Sequence, residues 1–447
     1  MIVSRLTVAW PAHERRRGGP IRVVECHCPA VTALAGLEQA VPVTERRPER
    51  WLVAVTEYAG LTQYTGGIGR HYAALLPALV QLGITVDLLV FSPDPPSRTG
   101  QPSPAELGGV NLIGRHRTGR FPRVVELVTR ALRVRRTFQS ARYDRVFLPE
   151  WAALGSALPR TAPLLTNLAT SMALANEVAG LTMRQFPVSG RLVVAVQNHL
   201  ERRQITRSAG LIPISRAMLD YTAATFEDLP PARIVRNCVE VETVAARSRT
   251  ARLPEEWPAG DDPVLLFLGR LERRKGVVDA LQAFALVTRR HPRARLVLAG
   301  ASGDHRFEPD RAELLSYLPQ SARAQVTFLG HVPGDSLYSA IRAATVTMCP
   351  SRWEGFGNVA LEAKAIGAAL VCTTGSGFDD FCVDDTDALM VPPADPPALA
   401  AAIGRLVEQP ELAARLGRTA AASVSQFAPA PVATDLVRAA DDLLGAR

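Results

Sequence analysis

Lysine is almost missing from this chain. Of its 51 basic residues only Lys275 and Lys364 are lysine; the rest are arginine. Such a bias follows genomic base composition. A lysine kept against it marks a place where a compact ammonium serves and a planar guanidinium does not. Lys275 stands in such a context, whereas Lys364 reads as a surface helix residue. Cysteine is scarce and scattered, at Cys26, Cys28, Cys238, Cys349, Cys372 and Cys382. Cys349 and Cys372 lie in apolar runs and read as small core residues. Cys26-x-Cys28 has no second pair at ligand spacing, which argues against a zinc site. No apolar run is long enough to cross a bilayer as a helix. Pro11 and the charged run 14–17 interrupt any signal-peptide core, so a cytoplasmic location is the expectation.

What is present describes a globular chain. Its 447 residues are 47% hydrophobic and 21% charged, enough for two or three domains with real cores. The net charge of +8 points to anionic partners. Residues 1–50 mix Pro, Gly, Arg and Glu with weak periodicity and read as an extension, poorly ordered or a misassigned start. A first alternation follows over 51–245: a strand at 51–56, a loop at 57–69, a helix at 70–82 and a strand at 84–91 make one βαβ unit. Strand-like runs recur at 145–148, 164–167 and 211–215, with helical patterns at 122–139 and 191–208. A polar, Pro-rich linker is expected at 246–263. A second alternation over 264–425 has strands at 264–268, 295–299, 326–329, 345–349 and 369–373. Its helices are expected at 277–290, 336–343, 359–366, 397–407 and 411–425. The tail 426–447 holds an amphipathic helix that suits either domain. Two such alternations predict an α/β chain with two parallel-sheet, Rossmann-like domains, whose ligands bind beyond the carboxyl ends of the strands.

Three motifs fall at such ends. Glu354 and Glu362 flank Gly355-Phe356-Gly357-Asn358-Val359-Ala360-Leu361. This reads as a loop turning into a helix, with Gly355 and Gly357 for close backbone approach, Asn358 as N-cap and Gly367 as the stop. Carboxylates accept from hydroxyls and a helix N-terminus holds phosphate, so the pattern suits a ligand carrying both. The plainer reading is a helix start with two acidic residues. The second motif, 269–276, runs Gly-Arg-Leu-Glu-Arg-Arg-Lys-Gly after the first strand of the second domain. Arg270 and Lys275 beside a helix start form a diphosphate site, or the segment is a solvated basic loop. The third, Thr65-Gly66-Gly67-Ile68-Gly69, resembles a phosphate-cradling turn. It lacks Gly-Lys-Ser/Thr, which excludes a triphosphate P-loop, and Tyr72 stands where a dinucleotide fingerprint has its third glycine, which leaves little support for nicotinamide binding.

Taken in this order, the three motifs resemble the retaining glycosyltransferases of family GT4, which have the GT-B fold and an E-x7-E signature. Leu329-Gly330-His331-Val332, and Leu200-Glu201-Arg202 with Ser215, are further matches. The resemblance runs from about residue 51 to the end and is strongest over 264–395. It implies that Arg270 and Lys275 bind the donor diphosphate and stabilise the departing nucleotide. Glu362 would accept from the ribose hydroxyls. Glu354, with the backbone around Gly355, Phe356, Gly357 and Asn358, would hold the donor sugar and its phosphate. Gly67 and Gly69 would let the first domain approach across the cleft, and His331 and Val332 would face the nucleobase. The implied co-substrate is a UDP-, GDP- or ADP-sugar, with no metal and no other cofactor. The acceptor would be a glycan, a lipid-linked or a small-molecule hydroxyl, and no nucleic acid is implied. A phosphorylase on a similar scaffold would need a lysine for pyridoxal phosphate, which two lysines make hard to supply. A silent sugar-nucleotide or glycan-binding protein is the alternative from another class.

The chain departs from the family pattern in three places. Thr166-Asn167-Leu168-Ala169-Thr170 stands where a histidine is common, Arg236-Asn237-Cys238 where Pro-Asn-Gly is usual, and Gly367-Ala368-Ala369 where Gly-x-Pro is usual. Separately, residues 115–145 carry ten arginines against Glu126 and Asp144. Their interleaving with valine and leucine reads as a solvated face or as a basic amphipathic helix on an anionic membrane surface, peripheral on its inner face.

Overall fold

The computed structural model describes residues 48–63, 65–93, 102–304, 307–332 and 334–445. Most of the 1–50 extension, with Cys26 and Cys28, lies outside the described residues. Among the described residues, twelve parallel strands form two sheets. The first comprises β1 (Arg50–Val55), β2 (Thr85–Ser92), β3 (Asn111–Arg117), β4 (Arg145–Pro149), β5 (Leu164–Leu168) and β6 (Gly210–Pro213), in the order β3-β2-β1-β4-β5-β6. The second comprises β7 (Val264–Leu268), β8 (Arg295–Ala299), β9 (Val326–Gly330), β10 (Val346–Cys349), β11 (Leu370–Thr373) and β12 (Leu389–Val391), in the order β12-β11-β10-β7-β8-β9. Read from its other edge, the second sheet repeats the topology of the first. Central strands such as β7, Val-Leu-Leu-Phe-Leu, are buried along their whole length, as helices on both faces require. The two-domain α/β architecture is therefore as expected. Strand order reverses beside β1 and β4 in one sheet, and beside β7 and β10 in the other. The crevice beyond those strand ends is where such sheets bind ligands.

Several boundaries and elements differ from expectation. The first helix runs Gly67–Gln81, three residues earlier than the pattern suggested, because Gly67 and Gly69 are inside its first turn. Two strands were not foreseen, and both are short or half-exposed edges. β3 carries Arg115, His116 and Arg117 instead of an apolar run, and β12 has three residues. Helix Val241–Thr250 covers the first residues of the expected linker and packs on helices Gly334–Ala343 and Asn358–Ile366, so 251–263 alone runs without helix or strand.

The last helix, Pro429–Leu444, chooses the first domain. It packs on Gly67–Gln81 and β6, burying Val432, Leu436 and Ala440 with Tyr72 and Leu76. Arg145 pins it. That guanidinium is fully buried and donates to the Gly445 carbonyl at 2.8 Å, with Asp441 at 3.5 Å and Glu49 at 3.9 Å. Arg145 is thus not part of a solvated arginine face. The helix at Arg123–Ser140 does form, and its outer side leaves Val125, Val128 and Leu132 exposed, with Phe121 exposed just before it. Lys364 is the clearest reversal. It is fully buried, paired with Asp387 at 2.7 Å and bonded to the Phe381 carbonyl.

Candidate active site

Between the two sheets lies a cavity of about 550 Å³, lined from both domains by the carboxyl ends of the strands. On the second domain, the segment that follows β7 from Gly269 delivers Arg270, Arg274 and Lys275 to it. The four cations of this basic segment have sorted themselves. Arg273 turns outward to Glu313 and Tyr317. Arg270 and Arg274 turn in, held at 2.7 and 2.8 Å by the two oxygens of Glu272, itself buried. No local pattern marks Glu272 as the organiser of the pair. Lys275 reaches Glu354, forming an ion pair in which each side chain is under a fifth exposed. Ser351 adds a hydrogen bond to the same oxygen at 3.2 Å. Burial disfavours the charge on Glu354, but Lys275, Arg274 and these bonds outweigh it and hold the carboxyl below its usual range. Burial and the neighbouring arginines pull the Lys275 ammonium down despite Glu354.

Gly355, Phe356, Gly357 and Asn358 line the cavity next to Glu354. Gly357, not Asn358, precedes the helix Asn358–Ile366, and its φ of +103° with the Phe378 ring behind it admits only glycine. Asn358 is the first helical residue, and its carboxamide has a different task. It donates to the Gly67 carbonyl across the cleft at 2.8 Å and accepts from Asn237 at 2.9 Å. A Cβ on Gly67 would come within 2.8 Å of that carboxamide, so the close approach explains this glycine. Gly69 is placed elsewhere: it is buried against Thr65 and the backbone of Glu57, not on the cavity wall. Ser215 closes another link, accepting from Met218 N–H at 3.0 Å and donating to the Gly355 carbonyl at 2.5 Å.

His331 and Val332 line the cavity at the end of β9. Glu362 stands one helical turn behind Asn358 and does not itself line the cavity. Arg70, from the first domain, does, and its Nε lies 3.2 Å from Glu362 Oε1. Among the described residues Oε2 of Glu362 is buried without a hydrogen-bond partner. Burial lifts this carboxyl above its usual range, with Arg70 opposing.

The first-domain wall was the least legible from sequence. Glu57, at the end of β1, accepts from Gly66 N–H and so holds the glycine turn. Asn167 is buried, donating to the Ile212 carbonyl at 3.0 Å and accepting from Tyr72 at 3.2 Å, so it does not replace a cleft histidine. Beneath the wall lie two carboxylates. Glu201 accepts from Ala152 N–H at 3.1 Å and Met172 N–H at 2.8 Å, and Glu150 accepts from Ala169 N–H at 2.9 Å. Burial raises Glu150 to about 8, with the Glu201 charge adding to it, and raises Glu201 to about 7. A carboxyl whose pKa is higher folded than unfolded stabilises the fold fully below its unfolded pKa and loses that contribution as pH rises through the folded value. Melting temperature should therefore fall from about pH 5 to about pH 8 and then level off, a loss on the order of 5 °C. In Glu150→Gln thermal melts the slope should flatten; an unchanged slope would refute the assignment.

Comparison with known proteins agrees with this geometry. Residues 65–243 match the model of Glycosyltransferase Family 4, and residues 250–423 that of Glycosyl transferases group 1. The chain is 30% identical over 378 residues to glycogen synthase of Mycobacterium tuberculosis, covering 79% of this chain and 86% of that one. It is 39% identical over 172 residues to D-inositol 3-phosphate glycosyltransferase of Acidothermus cellulolyticus, covering 37% and 38%. In fold it is similar to sucrose-phosphate synthase of Thermosynechococcus elongatus, with a TM-score of 0.73 at 21% identity over 89% of this chain and 100% of that one. Two facing Rossmann-like domains, the motifs at their strand ends and these matches place the chain in glycosyltransferase family 4: it is a glycosyltransferase of the GT-B fold.

Proposed function

We propose that this enzyme transfers a sugar from a nucleoside-diphosphate sugar to an acceptor hydroxyl with retention of configuration. The observation that carries it is the convergence of Arg270, Arg274 and Lys275 on one side of the cavity, facing the Gly66–Gly67 turn and the start of helix Asn358–Ile366. These cations and the helix N-terminus neutralise a diphosphate, and do so more strongly as charge grows on the leaving phosphate. Glu354, kept ionised by Lys275, accepts from hydroxyls of the donor sugar. The unpartnered Oε2 of Glu362 accepts from a ribose hydroxyl, with Arg70 yielding or sharing the other oxygen. His331 and Val332 stand where the base would lie.

Retention is supported by what the wall offers as bases. The carboxylates lining the cavity are Glu57 and Glu354, and both are already engaged, by Gly66 N–H and by Lys275. The acceptor proton then goes to the departing phosphate oxygen. The acceptor O–C1 bond forms on the face from which the C1–O(phosphate) bond breaks, and the electron pair of that bond leaves with the nucleotide.

The test is a thermal-shift screen against UDP, GDP, ADP and their sugar conjugates, beside Glu362→Ala. A ligand that binds only the folded state raises stability with the logarithm of its concentration above Kd. One nucleotide family should raise the melting temperature of the wild type and not of the variant. No shift with any nucleotide would sink the donor assignment.

A further inference from the structure

The helix Arg123–Ser140 is apolar on two sides. Its inner side buries Leu127, Ala131 and Val134 in the first domain, spaced by four and three residues. Its outer side carries Val125, Val128 and Leu132, spaced by three and four, and these are 44%, 42% and 40% exposed. At 3.6 residues per turn Val125 and Leu132 fall within about 20° of each other, on the far side of the helix from the buried three. A surface helix that covers a core on one side carries polar residues on the other. Apolar residues exposed singly are ordinary, but an outward stripe at helical spacing is a surface made to be covered.

The turn before the helix extends the stripe. Phe121 is 61% exposed, yet its backbone is held. One oxygen of the buried Glu126 accepts from the N–H groups of Gly119, of Arg120 at 2.9 Å and of Phe121 at 3.4 Å, and the other accepts from Arg130 at 2.7 Å. Asp144, the second acidic residue of this arginine-rich segment, accepts from Arg50 N–H at 2.9 Å. Both carboxylates are thus engaged, while Arg117, Arg120, Arg123, Arg133, Arg135 and Arg136 stay exposed. On the helix surface Arg135 and Arg136 fall on either side of the apolar stripe.

We infer that this outer face docks on an anionic phospholipid surface, with the helix lying in the headgroup plane, the stripe from Phe121 to Leu132 in the acyl boundary and the arginines at the phosphates. Such a surface complements the face twice, with hydrocarbon for the stripe and negative charge for its edges. Arginine stems can lie along the apolar layer while the guanidinium reaches a phosphate. A second copy of this chain fits less well, because a two-fold contact through this face sets arginine against arginine. Residues 1–47 carry seven arginines and four glutamates, so they bring no excess of negative charge to cover it. The helix starts beyond the carboxyl end of β3, and the carboxyl ends of the strands face the cavity, so docking brings the rim of the cleft to the bilayer. The inference stands apart from the donor assignment, since it is read with no nucleotide present.

The experiment is co-sedimentation of the full chain with vesicles of phosphatidylcholine alone and of phosphatidylcholine with an equal part of phosphatidylglycerol, at low and at high salt. The wild type should bind the anionic vesicles at least about tenfold better than the neutral ones, and high salt should remove most of that gain. Val128→Ser/Leu132→Ser should weaken binding about tenfold, and Arg123→Gln/Arg136→Gln should do the same at low salt. All four side chains are exposed, so both variants should melt with the wild type. Phe121→Trp should add emission that brominated phospholipid quenches beyond the wild-type level. No preference for anionic vesicles, or no added quenching, would overturn the inference. So would vesicle binding untouched by Val128→Ser/Leu132→Ser, as a bare polyanion site would give, or a wild-type dimer that the same pair of substitutions dissolves.

Discussion

Lys275→Ala should lose at least about 100- to 1,000-fold in kcat/KM, the scale seen when one preorganised charge at a reacting centre is removed. Two functions fail together. The diphosphate loses a cation, and Glu354 loses the ammonium that keeps it ionised. The second effect gives a diagnostic. With Lys275 gone, only Arg274 and the Ser351 hydrogen bond still oppose burial at Glu354, so its carboxyl rises and the acid limb of the pH–rate profile moves to higher pH. Lys275→Arg should rescue poorly. The ammonium sits between Glu354 and its arginine neighbours, where a wider planar fork cannot present one compact charge. Steady-state kinetics over pH checks both points. An alanine variant with full activity, or with an unmoved acid limb, would remove Lys275 from the chemistry.

The second large effect concerns the other lysine and stability instead of rate. Lys364 is fully buried against Asp387 and the Phe381 carbonyl, with its ammonium 5.6 Å from the Phe381 ring centroid. Removing one member of a buried pair leaves an uncompensated charge, which costs about 3–5 kcal/mol. Lys364→Ala should therefore lower the melting temperature by on the order of 10 °C. Replacing both partners by apolar residues, Lys364→Met with Asp387→Leu, should recover most of the loss, because no orphan charge remains. The damage should reach the site. Phe381 packs on Phe356 at 4.9 Å between centroids, and Phe356 belongs to the segment between Glu354 and Glu362. Thermal denaturation of the single and double variants decides the matter. A single variant within about 1 kcal/mol of wild type would show that the pair is not carrying charge.

The contrast between the two lysines shows how far local sequence reaches. Lysine scarcity flagged both positions, and the basic loop identified Lys275 correctly as a residue turned into the cleft. The same signal could not say that Lys364 is interior. Its partner, Asp387, comes from a turn between β11 and β12, and only the pairing of those segments brings it near. The arginines of the 269–276 loop behave alike. Sequence places four cations there, but Glu272, Glu313 and Tyr317 decide which ones face the cavity.

What the sequence determined by itself is what short-range physics writes into it. Apolar runs made the central strands, glycine marked the turns at 66–67 and 355–357, and three spaced motifs named the family. Tertiary structure decided everything that depends on distant partners. Asn358 became a clasp on Gly67 and Asn237 instead of a helix cap, and Arg70 rather than solvent met Glu362. Glu150 and Glu201 braced the backbone around Ala152, Ala169 and Met172 from beneath, and the last helix chose the first domain. Side-chain orientation, burial and ionisation are set by groups up to 300 residues away along the chain, as for Arg145 and Gly445. A local pattern holds no record of such pairings until the two sheets have formed and faced each other.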